Sequence, residues 1–222
     1  MKKMNYEIFR CDDFELDGRL TDPQWKKASV WELARPGDAF PQLGPELNEK
    51  GWVRALCSDN YLYIGVEMED SDVVNQGRFH QSHLYKTGDT IELFFKPSTD
   101  TYYWEMYGSP QGLKTTFFYP SRSYVFLPES ELPVPEFEVK THIDGTFNNW
   151  QIEDNGWSIE FKLPLSTFEQ YGAKFRSGEV WEFLIARQNY SRRLARKELS
   201  TVPPIAESDF HFIEQYGKVV IR

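Results

Sequence analysis

The chain has 222 residues, a formal net charge of −9 and a 40% hydrophobic, 16% aromatic composition, enough apolar material for a sizeable core in a single all-β domain of the usual roughly 200 to 250 residues. Nucleic acid and anionic membrane surfaces call for clustered positive charge, so a chain this acidic overall is a poor partner for either. No run approaches the roughly 18 apolar residues of a membrane span, and the start MKKMNYEIFR lacks the apolar stretch of a signal peptide. These features point to a soluble protein and leave its compartment open, either cytoplasmic or exported after signal removal. Cys11 and Cys57 do not amount to a disulfide framework, so neither pairing nor redox compartment follows from them.

Taken in order, Tyr6 to Arg10 reads as an opening strand, followed by a turn at Asp17-Gly18. Asp22 then has the chemistry of an N-cap and Pro23 that of a first helical position, in a short turn carrying Trp25 and Ala28 inward. Arg35 to Lys50, punctuated by Pro36, Pro41, Pro45, Gly37 and Gly44, reads as a long loop. Trp52 to Glu69 is a hairpin about Asp59-Asn60, with Val53, Ala55, Cys57, Leu62, Ile64, Val66 and Met68 facing inward. Its outer face carries Tyr61, Tyr63, Glu67 and Glu69.

A polar loop, Asn75 to Thr87, leads into GDTIELFF at Gly88 to Phe95. Ile91, Leu93 and Phe95 share one face of this strand, whereas Glu92 stands between Thr90 and Phe94 on the other. A carboxylate beside a phenyl ring is an unusual solvent face, which singles out Glu92. The next strand places Tyr102, Trp104 and Met106 on the core side and Tyr103, Glu105 and Tyr107 outward, and SPQG turns the chain into Leu113 to Tyr119. Ser121 to Pro135, with Pro128, Pro133 and Pro135, is a second irregular stretch.

Further strands follow at Phe137 to Ile143, after Asn155-Gly156, and at Glu179 to Gln188, where Trp181, Phe183 and Ile185 face inward. The strand after Asn155-Gly156 turns Trp157, Ile159, Phe161 and Leu163 in and Ser158, Glu160 and Lys162 out, and STFEQY after it is one short helical turn. Arg192, Arg193, Arg196 and Lys197 form a solvated hairpin end, and SDFHFIEQY precedes a last strand, Lys218 to Ile221. The expected fold is therefore all-β: a two-sheet antiparallel, jelly-roll-like β-sandwich of about ten strands with one or two helical turns, spanning residues 1–222 as one domain.

The ordered segments LDGRLTDPQWKKA, LYIGVEMEDSDV, GDTIELFF, GWSIEFKLPLSTF, GEVWEFLIAR and DFHFIEQYGKVVI resemble carbohydrate-binding module family 9 and its DOMON-like relatives, from about Leu16 to Ile221. That resemblance implies a non-catalytic module, often appended to polysaccharide-degrading enzymes, that binds a mono- or oligosaccharide or a chain end by aromatic stacking and polar contacts. It assigns the sugar-contacting glutamate to Glu92. Tyr85 and Lys86 stand where a stacking tryptophan is expected, Phe210 where a second is expected, and Glu105 where a contacting arginine is expected; Arg187 matches the arginine after the aromatic strand.

The candidate ligand-binding set is therefore Glu92, Tyr85, Glu105, Tyr103, Arg187 and Phe210, with Tyr103 and Tyr107 expected to be exposed and Trp104 in the core. Rings cover the apolar face of a sugar, and planar polar groups reach its hydroxyls. For Glu92 the alternative is an outward carboxylate paired with a cation on a neighbouring strand. No cofactor is expected; the resemblance allows calcium, to which Asp70 and Asp72 would contribute although two loop aspartates fall short of a full oxygen cage, and His80 and His83 lack the further ligands of a metal centre. Two other functional classes stay open: a glycoside hydrolase using a pair among Glu67, Glu92, Glu105 and Glu160, and a protein-interaction sandwich whose sugar site has degenerated.

Overall fold

The structure, a computed structural model, describes residues 5–122, 124–126 and 136–222. Residue 123 and residues 127–135 of the irregular Ser121 to Pro135 stretch lie outside the described residues, as do residues 1–4. Among the described residues thirteen strands follow one another: β1 (Asn5–Arg10), β2 (Val30–Glu32), β3 (Gly51–Cys57), β4 (Tyr61–Glu69), β5 (Thr90–Pro97), β6 (Tyr103–Gly108) and β7 (Lys114–Ser121). They continue with β8 (Tyr124–Phe126), β9 (Glu138–Asp144), β10 (Gly156–Pro164), β11 (Val180–Asn189), β12 (Glu198–Val202) and β13 (Gly217–Ile221). The helical elements are short, α1 (Phe40–Leu43) and α2 (Ser166–Glu169) being the longest α-turns, each of 4 residues.

The lateral order is β8-β7-β6-β5-β11-β13-β1-β3-β4-β10-β9, with β12 added to β11 and β2 to β3. Most neighbours are antiparallel, but β1 runs parallel to β13 at Asn5 to Ile8 and parallel to β3 at Phe9 and Arg10. It passes from one face of the sandwich to the other and joins them into a continuous mixed sheet. The expectation of two separate antiparallel sheets is corrected at this strand. Short elements that alternation alone does not mark, β2, β8 and β12, raise the strand number above the expected ten.

The two faces enclose one main core. Ile91, Leu93, Phe95, Trp104, Met106, Trp181 and Phe183 meet Val53, Ile64, Val66, Trp157, Ile159 and Phe161 across it, the interdigitation expected of facing sheets. The hairpin register Val53↔Val66 and Ala55↔Ile64 places these residues inward as their alternation requires. Gly88 is required where β5 begins. Its φ of +147 suits glycine, and a Cβ there would stand 2.2 Å from the Val74 carbonyl oxygen.

The outer faces are not free surfaces. Residues 11–28 fold over β4 and β10, where Phe14 stacks on Tyr63 at 4.0 Å and Trp25 donates to Glu160 Oε1 at 2.7 Å. Glu160 Oε2 also accepts the backbone N–H of Asp17 at 2.8 Å. Tyr63 and Glu160, expected to face solvent, are thus fully buried, which removes Glu160 from the available surface carboxylates. Cys11 and Cys57 are free thiols. Cys57 sits in the main core, whereas Cys11 packs with Phe9 on the opposite side of the sheet.

Candidate functional site

The face of the β7-β6-β5-β11-β12 stretch that points away from the core gathers most of the candidate residues. Pairing sets Glu92 opposite Tyr107 and Ala186, and Phe94 opposite Glu105 and Leu184. Glu105 and Tyr107 in turn oppose Phe117 and Thr115, and Tyr103 opposes Tyr119. Since strand side chains alternate, these residues share the outer face. Three segments roof it: residues 76–87, the 190–197 turn, and residues 205–216.

Glu92 is 2% exposed and accepts a 2.6 Å hydrogen bond from Gln188 Nε2. Burial pushes its carboxyl well above the ordinary carboxylate range, and the neighbouring Glu105 pushes it further the same way. Glu105 accepts from the Tyr107 and Tyr119 hydroxyls, each at 2.5 Å. Burial and the Glu105 charge raise both phenols, which keeps them neutral donors. The result is a polar network in an aromatic surround, in which Gln188 Oε1 is buried without a hydrogen-bond partner. Glu92's partner is an amide, so the alternative of a cross-strand cation pair does not describe it. Burial lowers the Lys197 ammonium while the Glu92 charge opposes that shift.

Tyr103 stacks on Tyr119 at 4.7 Å with an interplanar angle of 3°, and its hydroxyl lies 2.8 Å from His211 Nδ1. Tyr103 and Tyr107, expected to be exposed, are 0% and 1% exposed because the roofing segments and β7 cover them. Phe210 packs edge-on against Phe94 at 6.3 Å and forms part of this buried cluster rather than an open stacking face. Tyr85 is half-buried, edge-on to Tyr107 at 5.8 Å, and its carbonyl accepts the Tyr190 hydroxyl at 2.7 Å. Tyr85, Tyr119, Tyr190 and His211 are the rings that keep partial access to solvent above the two carboxyls.

Arg187 lies elsewhere. On β11 it follows Trp181, Phe183 and Ile185 onto the core side, fully buried. It donates to the carbonyls of Glu69 at 2.7 Å and Glu49 at 3.2 Å and to Asp70 Oδ2 at 3.1 Å, clamping the two faces of the sandwich together. It does not reach Glu92's face, because successive strand residues point to opposite sides.

The same clamp bears on calcium. Asp70 Oδ1 accepts Asp72 N–H at 3.0 Å, and Oδ2 serves Trp157 Nε1 at 3.2 Å as well as Arg187. The guanidinium already supplies the positive charge there, so Asp70 and Asp72 do not fit a calcium cage. No group of three or more His, Cys, Asp or Glu able to hold a metal occurs among the described residues. His80 accepts Lys114 N–H at 3.1 Å while His83 stacks on Phe117, so the pair does not converge.

Residues the sequence did not single out complete the face. Asp89 Oδ2 accepts Val74 N–H and Oδ1 accepts Tyr190 N–H, both at 2.7 Å, which ties the chain just before the 76–87 segment and the 190–197 turn to the start of β5. Gln188, Tyr119, Tyr190 and His211 belong to strands or turns whose outward positions carried no distinctive pattern. Arg122 fastens the third segment through Asp209 at 3.3 Å and Glu214 at 3.1 Å.

The family model described as carbohydrate family 9 binding domain-like matches residues 16–222. The chain belongs to this family. No curated protein matches the sequence. Among solved structures, a family 9 carbohydrate-binding module from Caldicellulosiruptor kristjanssonii in complex with cellotriose is similar, with TM-score 0.65 and 16% identity over 97% of this chain and 93% of that one. The module from the same organism in complex with glucose gives 0.63 and 15%, over 97% and 95%. A protein from Bacteroides uniformis ATCC 8492, named only as a candidate carbohydrate-binding protein, gives 0.74 and 10% over 98% and 99%. At these identities the family 9 likeness to solved structures is one of fold.

Proposed function

We propose that the chain is a single-domain, non-catalytic carbohydrate-binding protein whose site is the outer face between the 76–87, 190–197 and 205–216 segments. One observation carries this reading: partly accessible rings, Tyr85, Tyr119, Tyr190 and His211, surround two buried carboxyls, Glu92 and Glu105, on one sheet face. Rings supply apolar faces for pyranose C–H groups, and an anchored carboxylate accepts hydroxyl hydrogen bonds. In this reading Tyr85 and Tyr119 contact the sugar, Glu105 holds the Tyr119 hydroxyl from beneath with Glu92 behind it, and Tyr103 and Phe210 are the packing that supports the rings. Work alongside polysaccharide-degrading enzymes follows from the family's character.

Binding without chemistry fits the disposition of the carboxyls. Glu92 and Glu105 are each committed to protein donors, whereas glycoside hydrolysis needs a pair at about 5 to 5.5 Å or about 6.5 to 9.5 Å with one face free for substrate or water. A glycan array followed by calorimetry on the hits tests the proposal. The expected result is binding of at least one glycan, weakened about tenfold by Tyr85→Ala, as loss of one stacked ring implies. Absence of any glycan ligand, or hits indifferent to Tyr85→Ala and Tyr119→Ala together, would overturn it. Turnover of aryl glycosides that Glu92→Gln abolishes would favour the hydrolase instead.

A further inference from the structure

A second aromatic surface stands on the rim of the sandwich, apart from the residues above. Trp150, in the loop between β9 and β10, is 58% exposed, and the Arg192 guanidinium lies 4.8 Å from its ring centroid. Ile152 of the same loop is 47% exposed. Two large apolar side chains exposed within one short loop, one of them faced by a guanidinium, single this surface out from scattered exposed residues.

The loop carrying them is anchored. Asn148 exchanges two 3.0 Å hydrogen bonds with the Asn75 backbone and donates its own N–H to the Val73 carbonyl at 3.0 Å. Arg193 pairs with Glu153 at 2.9 Å, and Arg192 N–H donates to Asp72 Oδ2 at 3.0 Å. The ring is therefore presented in a set position, which lowers the entropy cost of binding to it. It also shares a frame with the carboxyl site. Asn75 donates to the Asp89 carbonyl at 2.9 Å, Asp89 holds Tyr190, and Tyr190 holds Tyr85.

The charge here runs against the rest of the molecule. In a chain of net charge −9, Arg192, Arg196 and Lys197 gather on this turn, and none forms an ion pair among the described residues. Arg192 lies over Trp150, Arg196 meets the Gln42 amide at 2.8 Å, and Lys197 lies over Tyr190. A guanidinium stacked on an indole keeps its N–H fork for a planar acceptor, and a carboxylate matches it with two parallel hydrogen bonds.

We propose that Trp150 and Arg192 form a second subsite that takes a uronic acid unit, so that the ligand is an acidic oligosaccharide chain extending from this rim toward Tyr85. The carboxylate meets the Arg192 fork, and the pyranose packs along the part of the indole that the guanidinium leaves uncovered. This inference rests on the carbohydrate-binding reading and narrows its ligand class.

Calorimetry tests it with hexamers of galacturonate, mannuronate and guluronate and a glucuronic-acid-substituted xylo-oligosaccharide, against cellohexaose and xylohexaose. At least one acidic chain is expected to bind about tenfold more tightly than the neutral chains, with an advantage that shrinks as salt is raised. Arg192→Gln is expected to erase most of that advantage, whereas Trp150→Ala, which removes the packing surface, is expected to weaken acidic and neutral chains alike. If no acidic chain exceeds the neutral ones, or if neither substitution changes acidic binding, the subsite is overturned while a Tyr85-dependent neutral affinity keeps the parent reading standing. If no sugar of either kind binds, both fall.

Discussion

Replacing Arg187 by methionine separates a clamp from a ligand-binding cation. The side chain is fully buried and donates to the Glu69 and Glu49 carbonyls and to Asp70. Methionine fills similar space but leaves those carbonyls unsatisfied and Asp70 buried without its cation. Breaking a buried ion pair by removing one partner costs about 3 to 5 kcal/mol. At roughly 2 to 4 °C per kcal/mol for a domain of this size, the melting temperature falls by about 6 to 20 °C. Adding Asp70→Asn removes the stranded charge and recovers part of the loss. Burial, against the pull of Arg187, raises the Asp70 carboxyl from 3.8 to about 6. Its contribution to stability is therefore full below 3.8 and is lost as pH rises through about 6. Differential scanning fluorimetry from pH 4 to 8 reads both effects. A melting temperature within about 2 °C of the parent, or lost sugar affinity with stability intact, would refute the clamp.

Glu92→Gln keeps an acceptor for Gln188 and removes a titratable group whose carboxyl lies well above its ordinary 4.5. A raised carboxyl contributes stability at low pH and loses it as pH climbs through the folded value, so the variant gains on the parent between pH 5 and pH 9 in denaturant midpoints; a constant difference would contradict this. The two thiols should stay reduced in the folded protein, because they lie on opposite sides of the sheet. Burial raises Cys11 to about 12 and Cys57 to about 11. An aromatic disulfide reagent at pH 8 is expected to label Cys57 only on unfolding, and intact mass under mild oxidant should show no loss of two hydrogens.

Period-2 alternation made the core readable, because it is a local property and each strand reports its own buried face. The β3-β4 hairpin, β5, β6 and β10 follow it residue by residue. What alternation does not report is whether the other face meets water or another piece of chain. Tyr63, Tyr103, Tyr107 and Glu160 sit opposite the core and are buried all the same, under loops whose course no local pattern fixes. Arg187 is a different case. Counting by twos from Trp181 already puts it inward, and the expected role as a sugar cation overrode a signal present in the strand. Trp150 offered no pattern at all, since a lone ring in a polar loop gains meaning only from the guanidinium across from it.

The seam at β1 has a consequence for how the chain reaches this state. β1 and β13 lie near opposite ends of the sequence, yet Asn5 pairs with Lys218 and Ile8 with Ile221. Contacts of such high sequence separation require the longest loop to be closed before they return any stabilisation. During synthesis, β3, β4 and the β5-β6-β7 meander can assemble as hairpins while the first strand waits. The two faces become one sheet only when the last strand has been made, so a ribosome-bound chain cut short of residue 217 should hold its hairpins and leave the seam open.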